Sequence, residues 1–365
     1  MLGSLQRHVM IGLEKQTENL LGHSREELAN IAEELGQPRY RGNQLFAGIY
    51  KHRARDFRVL TNLSLGFRTE LCHKFKVAYP EIEREFVSSD GAVRYLLRLE
   101  DGESIETVYM PEESRTTLCL SSQVGCPLDC RFCFTALLGV KRNLTASEIV
   151  GQVLAVIHAQ RVLQRTRLNL VFMGMGEPLL NLRPVMKAVR ILADKGGLGI
   201  PLRRITISTA GVVPRVYELA RDPMRPKLAV SLNASDDEQR TALMPLNRKY
   251  PLRQLLDACR AYPLRPRERL TFEYVLLDGV NDSQADAGRV AELVRGIRCK
   301  VNLIPYNLGP ELPYRAPPLK RVLEFQQTLT ARSVPAFIRI SRGQDVRAAC
   351  GQLSLAGRRE LSAGD

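Results

Sequence analysis

The fold is decided by LNLVFMGM (residues 168–175), followed by LRPVMKAVRILAD (182–194) and RRITISTAG (203–211). The first and third segments are short apolar runs that lead into glycine, which is typical of buried strands, whereas the second repeats apolar residues at helical spacing. The alternation continues in strand-like runs at 227–235, 270–282, 300–307 and 335–341 and in helix-like runs at 145–160, 213–222, 252–262, 284–297 and 319–331. This rhythm predicts a parallel sheet with helices outside it, either a barrel or a doubly wound sheet, whose active site lies at the carboxyl ends of the strands.

Two further segments precede the alternating region. Residues 24–77 carry helical patterning, and Ser24 with Glu27 is spaced for a capping box at the start of a helix. Residues 83–110 alternate in character around Asp-Gly turns, which predicts a β-hairpin that leads into the core. We therefore divide the chain into a helical accessory domain at 1–80, a β-hairpin connector at 81–111, a partial-barrel core at 112–345 and a C-terminal tail at 346–365.

The charge and hydropathy of the chain narrow the class of protein. It has 53 Lys and Arg against 39 Asp and Glu, a net charge of +14, which favours a polyanionic partner such as nucleic acid. The basic side chains of the helical accessory domain suit RNA phosphates, although a solvated basic face is the alternative. The first 21 residues lack the continuous apolar stretch of a signal peptide, and no apolar run is long enough to span a bilayer. We therefore expect a cytoplasmic protein with no membrane partner, whose 8 cysteines are metal ligands, redox thiols or core residues.

The strongest chemical motif is a run of three cysteines on one short segment. Cys126, Cys130 and Cys133 have the spacing Cys-x3-Cys-x2-Cys, with Phe132 just before the last of them. Three thiolates on one loop can hold three corners of a 4Fe-4S cluster, which leaves the fourth iron able to bind the amino and carboxylate groups of S-adenosylmethionine. Zinc is the alternative, but it prefers two paired ligand sets in a closed tetrahedron, and the sequence offers no second Cys-x2-Cys or His-x3-His pair.

The cysteine motif, followed by MGMGEP at 173–178, resembles the radical S-adenosylmethionine superfamily. The resemblance implies that the backbone at Gly176 and Glu177 binds the methionyl amino group of S-adenosylmethionine. It also implies ribose and carboxylate contacts from residues that follow the strands, namely Ser208, Ser231, Leu232, Asn233 and Asn307. Each of these residues alone is also a common turn or cap residue.

A closer resemblance covers nearly the whole chain. The segments at 116–136, 173–181, 243–252, 301–307 and 342–353 are similar to the RlmN/Cfr family of adenosine methyltransferases, and 35–52 is similar to the accessory domain of that family. The family implies an incomplete (β/α)6 barrel with a small N-terminal helical accessory domain. It implies methylation of adenosine carbon 2 in 23S ribosomal RNA, at the peptidyl transferase centre, and in tRNA beside the anticodon. It further implies one 4Fe-4S cluster, two S-adenosylmethionine molecules per turnover, a reducing partner such as flavodoxin or ferredoxin, and a monomer.

The same resemblance implies roles for three residues outside the cysteine motif. Cys350 accepts a methyl group from one S-adenosylmethionine, and a 5′-deoxyadenosyl radical from a second molecule abstracts a hydrogen atom from that methyl, which then adds to the base. Cys119 occupies the family position of the thiol that displaces the product from the covalent protein–RNA adduct, with a transient Cys119–Cys350 disulfide. Glu106 matches the proposed proton acceptor, and an exposed strand glutamate without a special role is the alternative.

Departures from the family are modest. Many members carry histidine where this chain has Asn233 and tryptophan where it has Tyr306, and Asn233 is still able to hydrogen-bond to a ribose. The remaining thiols have no motif around them, so we assign packing roles to Cys72, Cys259 and Cys299.

Two alternative functions stay open. A Cfr-like carbon-8 methyltransferase of 23S ribosomal RNA shares the cluster and both catalytic cysteines. A noncatalytic RNA-binding protein with a structural metal explains the charge and the cysteine motif, but it leaves Cys350 and the Gly176–Glu177 pair without a use.

Overall fold

A computed structural model describes residues 17–162, 166–309 and 311–355 of the chain. Its strands are β1 Glu18–Asn19, β2 Phe75–Lys76, β3 Glu81–Val87, β4 Val93–Arg98, β5 Ser104–Glu112, β6 Arg115–Cys119, β7 Gln123–Gly125, β8 Val140–Asn143, β9 Leu168–Phe172, β10 Ile205–Thr209, β11 Lys227–Ser231, β12 Leu270–Leu276, β13 Cys299–Pro305 and β14 Ala336–Ile338. Its α-helices are α1 Arg25–Glu34, α2 Tyr40–Phe46, α3 Leu65–Lys74, α4 Ala146–Ala159, α5 Leu182–Ala193, α6 Val213–Arg221, α7 Asp237–Leu243, α8 Leu252–Ala261, α9 Gln284–Leu293 and α10 Leu319–Ala331. None of the helices in these ranges is both long and apolar enough to cross a membrane.

One ten-stranded sheet organises the molecule, in the order β14-β13-β12-β11-β10-β9-β6-β5-β4-β3. From β6 through β9 to β13 the six strands are parallel, and helices connect them on the outside, so the predicted incomplete (β/α)6 barrel is confirmed. The three-residue strand β14 adds a seventh parallel member beside β13. At the other side, β3, β4 and β5 are antiparallel and continue into β6, so the predicted hairpin is one strand larger than expected.

The parallel strands have two different faces. In β9 and β10, Leu170, Phe172, Ile205 and Ile207 are buried in the main apolar core, whereas the intervening residues are half-buried. Because side chains of a strand alternate between faces, the first set lies under the helices and the second lines the interior of the barrel. A ligand inside the barrel therefore contacts the half-buried set.

The helical N-terminal region is fixed to the barrel by specific contacts. The predicted capping box forms, since Ser24 and Glu27 bond reciprocally at the start of α1. From the same helix Arg25 donates two hydrogen bonds of 2.6 Å to the Asp194 carboxylate that follows α5. Gly22 has a φ of +84° and lies so near Ser147 that an added Cβ would stand 2.5 Å from the Ser147 nitrogen. A larger residue there would separate the two regions.

The cysteines without a motif have different environments. Cys259 on α8 and Cys299 on β13 are buried, as predicted. Cys72 is exposed, so its predicted packing role is wrong. Helix α3 buries Phe67 and Leu71, which share one face, and Cys72 is rotated about 100° away from Leu71.

Candidate active site

The cysteine loop, residues 126–133, follows β7 and carries the three candidate cluster ligands. The Cys126, Cys130 and Cys133 thiols are half-buried, and burial raises the pKa of each, that of Cys126 to about 12. Negative charge on Cys133 raises the pKa of the other two further. Three such thiols on one loop need a compensating cation to exist as thiolates, so the donor set fits a metal group.

The geometry of this donor set differs from that of a single-ion site. Among the residues that the structure describes, no three His, Cys, Asp or Glu side chains converge as a ready site for one metal ion. A cubane cluster does not need such convergence, because each thiolate binds a different iron. The three thiols on one loop are therefore compatible with a 4Fe-4S cluster.

Backbone contacts fix the cysteine loop. The Cys126 N–H donates to the Gly139 carbonyl at 2.7 Å, and the Arg131 N–H donates to the Leu243 carbonyl at 2.9 Å. Gly125 has a φ of +78°, and a Cβ at this position would stand 1.9 Å from the Gly139 oxygen. Only glycine permits this approach of the two chain segments.

Gly176 and Glu177 connect the ends of two neighbouring strands. Gly176 has a φ of +96°, and a Cβ there would meet the Gln123 side chain at 2.6 Å. The buried Glu177 carboxylate accepts hydrogen bonds from the Ala210 N–H at 2.7 Å and the Leu179 N–H at 3.0 Å. Burial raises the pKa of Glu177 to about 7, although these bonds oppose the shift. The carboxylate thus links the segment after β9 to the segment after β10.

The candidate cofactor contacts after β10 and β11 divide into two kinds. Ser208 and Ser231 are half-buried, on the face of the strands that lines the barrel. Leu232 has a fully buried side chain, so only its backbone is able to contact a ligand. Asn233 is 2% exposed, has a φ of +56°, and uses its Oδ1 to accept the Val275 N–H at 2.8 Å. The Asn233 amide therefore holds the turn between strands and does not point freely at a ribose.

Arg240 is a buried residue that the sequence analysis missed. Its guanidinium donates to the carbonyls of Ala210, Ser231 and Leu232, at 2.6, 3.1 and 3.1 Å, and to the Asn247 side chain at 3.1 Å. Burial lowers the pKa of Arg240 to about 10, and negative charge on Cys130 opposes that shift. Arg240 thus ties together strand ends that carry candidate cofactor contacts. In the sequence, Arg240 lies in a short charged helix that carries no motif. Its nearness to the segment at 243–252 was the one indication of a functional position.

The docked segment, residues 343–355, brings Cys350 to the barrel. The Phe134 N–H donates to the Gly351 carbonyl at 2.9 Å, and the Thr135 hydroxyl donates to the Leu353 carbonyl at 2.6 Å. The Asn307 Nδ2 donates to the Cys350 carbonyl at 3.1 Å, and its Oδ1 accepts from Gln344 at 3.0 Å. Asn307, a predicted cofactor contact, is thus bonded to the docked segment.

Cys350 lies near enough to Cys119 for its charge to affect that thiol. Cys119 ends β6 and is buried, which raises the pKa of its thiol, and negative charge on Cys350 raises it further. Cys350 is reached by solvent, yet surrounding groups raise its pKa by desolvation and by the charge of Glu273. Glu273, which bonds to Asn302 at 2.9 Å inside the barrel, was also missed, because a lone glutamate in an apolar strand carries no spacing motif.

Glu106 is fully buried, so the alternative of an exposed strand glutamate is wrong. Its carboxylate forms an ion pair with the 4% exposed Arg94 and accepts the Leu355 N–H at 3.1 Å. Burial raises the pKa of Glu106 in spite of Arg94. Val108 pairs with Cys119 between β5 and β6, which makes Glu106 a diagonal neighbour of Cys119 on one face of the sheet. Arg94 was missed because its partner lies on another strand.

Three cysteines on one loop, placed at the end of a partial parallel barrel beside a Gly-Glu-Pro strand end, define a radical S-adenosylmethionine enzyme. The family model described as Radical SAM superfamily matches residues 120–289, and this membership implies a 4Fe-4S cluster and S-adenosylmethionine. A second model, described as the ribosomal RNA large subunit methyltransferase N-terminal domain, matches residues 18–77. The chain belongs to the RlmN family of dual-specificity RNA methyltransferases, as its relatives demonstrate.

Among these relatives, a probable dual-specificity RNA methyltransferase RlmN of Koribacter versatilis is 50% identical over 338 residues, which are 88% of this chain and 97% of the relative. The corresponding protein of Desulfotalea psychrophila is 46% identical over 91% of this chain and 93% of its own length. The crystal structure of a radical SAM methyltransferase from Sphaerobacter thermophilus is 46% identical, with a TM-score of 0.87, and the match covers 92% of this chain and 99% of that one. The similarity thus extends over both the helical region and the barrel.

Proposed function

We propose that this enzyme methylates carbon 2 of one adenosine in 23S ribosomal RNA, at the peptidyl transferase centre, and of the adenosine beside the anticodon in tRNA. The observation that carries the proposal is the docking of residues 343–355 beside β5 and β6. Within that segment the Leu355 N–H donates to the Glu106 carboxylate on β5, and negative charge on Cys350 raises the pKa of Cys119 at the end of β6. A methyl carrier, a resolving thiol and a proton acceptor are the groups that this transfer requires.

In this proposal Cys126, Cys130 and Cys133 hold the 4Fe-4S cluster. With S-adenosylmethionine bound, the cluster supplies the radical that activates the methyl group carried by Cys350, and two S-adenosylmethionine molecules are used per turnover. Around the cofactor, the backbone at Gly176, Glu177 and Leu232 and the side chains of Ser208, Ser231 and Asn307 orient the methionyl and ribose groups. Asn233 contributes by holding the turn, since its amide is bonded to Val275. Flavodoxin or ferredoxin provides the electron.

Resolution of the covalent protein–RNA adduct is assigned to Glu106 and Cys119. Addition to the base leaves one unpaired electron on the adduct, which would return to the oxidised cluster held by the cysteine loop. A carboxylate with a raised pKa is a stronger base, so Glu106 accepts the proton from the former ring C–H. The Cys119 sulfur then bonds to the Cys350 sulfur, and the bond between Cys350 and the transferred carbon breaks. The electron pair goes to that carbon, which takes a proton and becomes the methyl group. A reducing thiol partner afterwards restores the Cys119–Cys350 disulfide to two thiols.

RNA binding is assigned in part to the helical N-terminal region. Residues 39–76 contain nine Lys and Arg against two acidic residues, and the exposed basic side chains there are Arg39, Lys51, Arg55, Arg58 and Lys74. A cleft of about 1100 Å³ lies between this region and the barrel, with Lys76, Arg98, Arg183 and Lys187 in its wall. Phosphate contacts of this type position RNA without reading its bases. The enzyme acts as a monomer in the cytoplasm.

The decisive experiment is product analysis. The enzyme, reconstituted with iron and sulfide without oxygen, is incubated with S-adenosylmethionine, a one-electron donor, and either a 23S ribosomal RNA fragment or tRNA. Nucleosides from the digested RNA are then separated, detected by mass spectrometry and compared with 2-methyladenosine and 8-methyladenosine standards. We expect 2-methyladenosine from both RNAs, and none with Cys350→Ala. Formation of 8-methyladenosine would instead establish the carbon-8 function.

A further inference from the structure

Tyr306 has a buried hydroxyl without a hydrogen-bond partner among the residues that the structure describes. It follows β13 and is 5% exposed. The Tyr306 backbone is fixed, because its N–H donates to the Leu276 carbonyl at 3.1 Å. Its ring packs edge-on against Tyr314, with centroids 6.0 Å apart. The ring is therefore held in place, and its hydroxyl oxygen is closed off from bulk solvent.

This hydroxyl differs from the other buried atoms without a partner in the described ranges. Those atoms are the Nε of Arg41, Arg53, Arg68 and Arg94 and one oxygen of Glu268, and each belongs to a group in which another polar atom is bonded. The Tyr306 side chain has one polar atom, and leaving it buried and unpaired is destabilising. Such a cost is avoided when a bound group supplies the acceptor.

The cysteine loop identifies the acceptor. Tyr306 belongs to a small apolar cluster with Phe132 and Phe134, and the Cys130 and Cys133 side chains pack against that cluster. Tyr306 thus belongs to the apolar cluster against which two of the thiols that we assign to the iron–sulfur cluster are packed. Thiolate and sulfide atoms of an iron–sulfur cluster accept hydrogen bonds, and those bonds set its potential.

We infer that the Tyr306 hydroxyl donates a hydrogen bond to a sulfur atom of the cluster, at or next to the Cys133 thiolate, and thereby raises the reduction potential of the cluster. The inference rests on the proposed assignment of Cys126, Cys130 and Cys133 as cluster ligands. The physical reason is that the reduced cluster carries one more negative charge, so a donor near its sulfur atoms stabilises the reduced form more than the oxidised form. Tyr306 is a positioning residue in this scheme and takes no part in methyl transfer.

The test is a redox titration of the full-length, reconstituted enzyme without oxygen, in which the electron paramagnetic resonance signal measures the reduced cluster. Tyr306→Phe keeps the ring and removes the hydroxyl. We expect the equilibrium constant for one-electron reduction to fall about tenfold, which is a shift of about 59 mV to lower potential. Iron content and affinity for S-adenosylmethionine should be unchanged. Tyr314→Phe, which removes the neighbouring hydroxyl, is the matched control and should keep the wild-type potential.

Four results would overturn the inference. An unchanged potential in Tyr306→Phe contradicts it, and so does a shift that Tyr314→Phe reproduces. Weaker binding of S-adenosylmethionine at constant potential assigns the hydroxyl to that cofactor instead. If Tyr306→Phe fails to hold a cluster, the test is made on the wild-type enzyme. Its reduced cluster must then show a hyperfine coupling from a proton that exchanges in deuterated water. Absence of that coupling refutes the inference. A wild type that binds no cluster would refute the proposed function itself.

Discussion

The cysteine loop and the docked segment reach the same end of the barrel, but they are held in different ways. The cysteine loop continues from β7 and is fixed by backbone bonds to Gly139 and Leu243 and by a glycine that admits no side chain. The docked segment is held largely by side chains, among them Thr135, Asn307 and Gln352, and by the Glu106 carboxylate. Releasing it breaks no strand pairing.

This difference matches what each region must do in the proposed reaction. A cluster keeps its ligands in one geometry, so its loop belongs to the rigid part of the barrel. Cys350 must approach both RNA and Cys119, and a disulfide forms only when the two Cα atoms come within roughly 4.4–6.8 Å. A segment held by separable side-chain contacts is able to move between such positions. The comparison predicts that changes in the two regions have separable effects.

The largest effect is expected in the cysteine loop. Cys126→Ala, Cys130→Ala or Cys133→Ala should abolish cluster binding and activity, because each thiolate binds one iron of the cubane. Iron content and the broad visible absorption of the reconstituted protein measure this. Cys72→Ala, at the exposed thiol of α3, is the control and should keep both. Near-normal iron content in any of the three loop variants would contradict the assignment of that cysteine as a cluster ligand.

The next largest effect distinguishes the roles that we propose for Cys350 and Cys119. Cys350→Ala has no methyl acceptor, so it should form no adduct with RNA. Cys119→Ala still accepts the methyl group and still adds to adenine, but it lacks the thiol that releases the product. It should therefore accumulate protein crosslinked to RNA, seen as a slow band of labelled RNA on a denaturing gel. Normal turnover by Cys119→Ala without a crosslinked product would contradict the proposed role of Cys119 in product release and leave it with a packing role.

A smaller effect is expected from loosening the docked segment. The buried Gln352 side chain donates to the Leu308 carbonyl at 2.8 Å and accepts the Ala349 N–H at 3.2 Å. Gln352→Ala should cost about 1–2 kcal/mol of docking and raise the released population by about 5–30-fold. Cys350 should then react faster with iodoacetamide, measured by peptide mass analysis, with Cys72 of the same sample as the internal reference.

Iron content shows whether the effect of Gln352→Ala is confined to the docked segment. It should stay at the wild-type level in Gln352→Ala, because the cysteine loop keeps its own backbone contacts. If iron falls in step with the faster alkylation of Cys350, the two regions are coupled and the comparison above is wrong. Equal alkylation rates in variant and wild type would mean that Gln352 does not restrain the segment.

The smallest effect lies at the contact between α1 and α5, which touches neither region. Asp194→Asn weakens a partly exposed pair with Arg25 and should cost up to about 1 kcal/mol of unfolding free energy in urea titrations. The bond with Arg25 lowers the pKa of Asp194, so its contribution is present above the ordinary carboxyl pKa and is lost as the pH falls through the lowered value. Wild type and variant should therefore converge in acid, while iron content stays equal at neutral pH.

The sequence predicted most of the fold, because strand and helix periods follow from local residues. The apolar runs at 168–175 and 203–211 became β9 and β10, and the capping box of Ser24 and Glu27 formed at α1. The strand-like run at 335–341 became β14, although only three of its residues pair with β13. The exposure of Cys72 depends on which face of α3 packs against the core.

The candidate site was predicted only where a motif is contiguous. The loop with Cys126 to Cys133 and the Gly176–Glu177 pair stand out in the sequence, and Cys350 followed from resemblance. Arg94 and Arg240 could not be found in this way, since their partners lie on other strands and loops. Its position at a strand end suggested Asn233 as a contact to the cofactor ribose. The left-handed backbone there instead turns its amide toward Val275.

The two edges of the ten-stranded sheet have a consequence for the protein before it holds iron. Strand β3 carries Glu81, Glu83, Arg84 and Glu85 along one edge, and β14 closes the other edge with three residues. Charged or very short edge strands discourage pairing with another chain. A newly made, metal-free chain must persist in solution until a cluster is delivered. Among the described residues, its sheet therefore ends in no long apolar edge on which aggregates could grow during that wait.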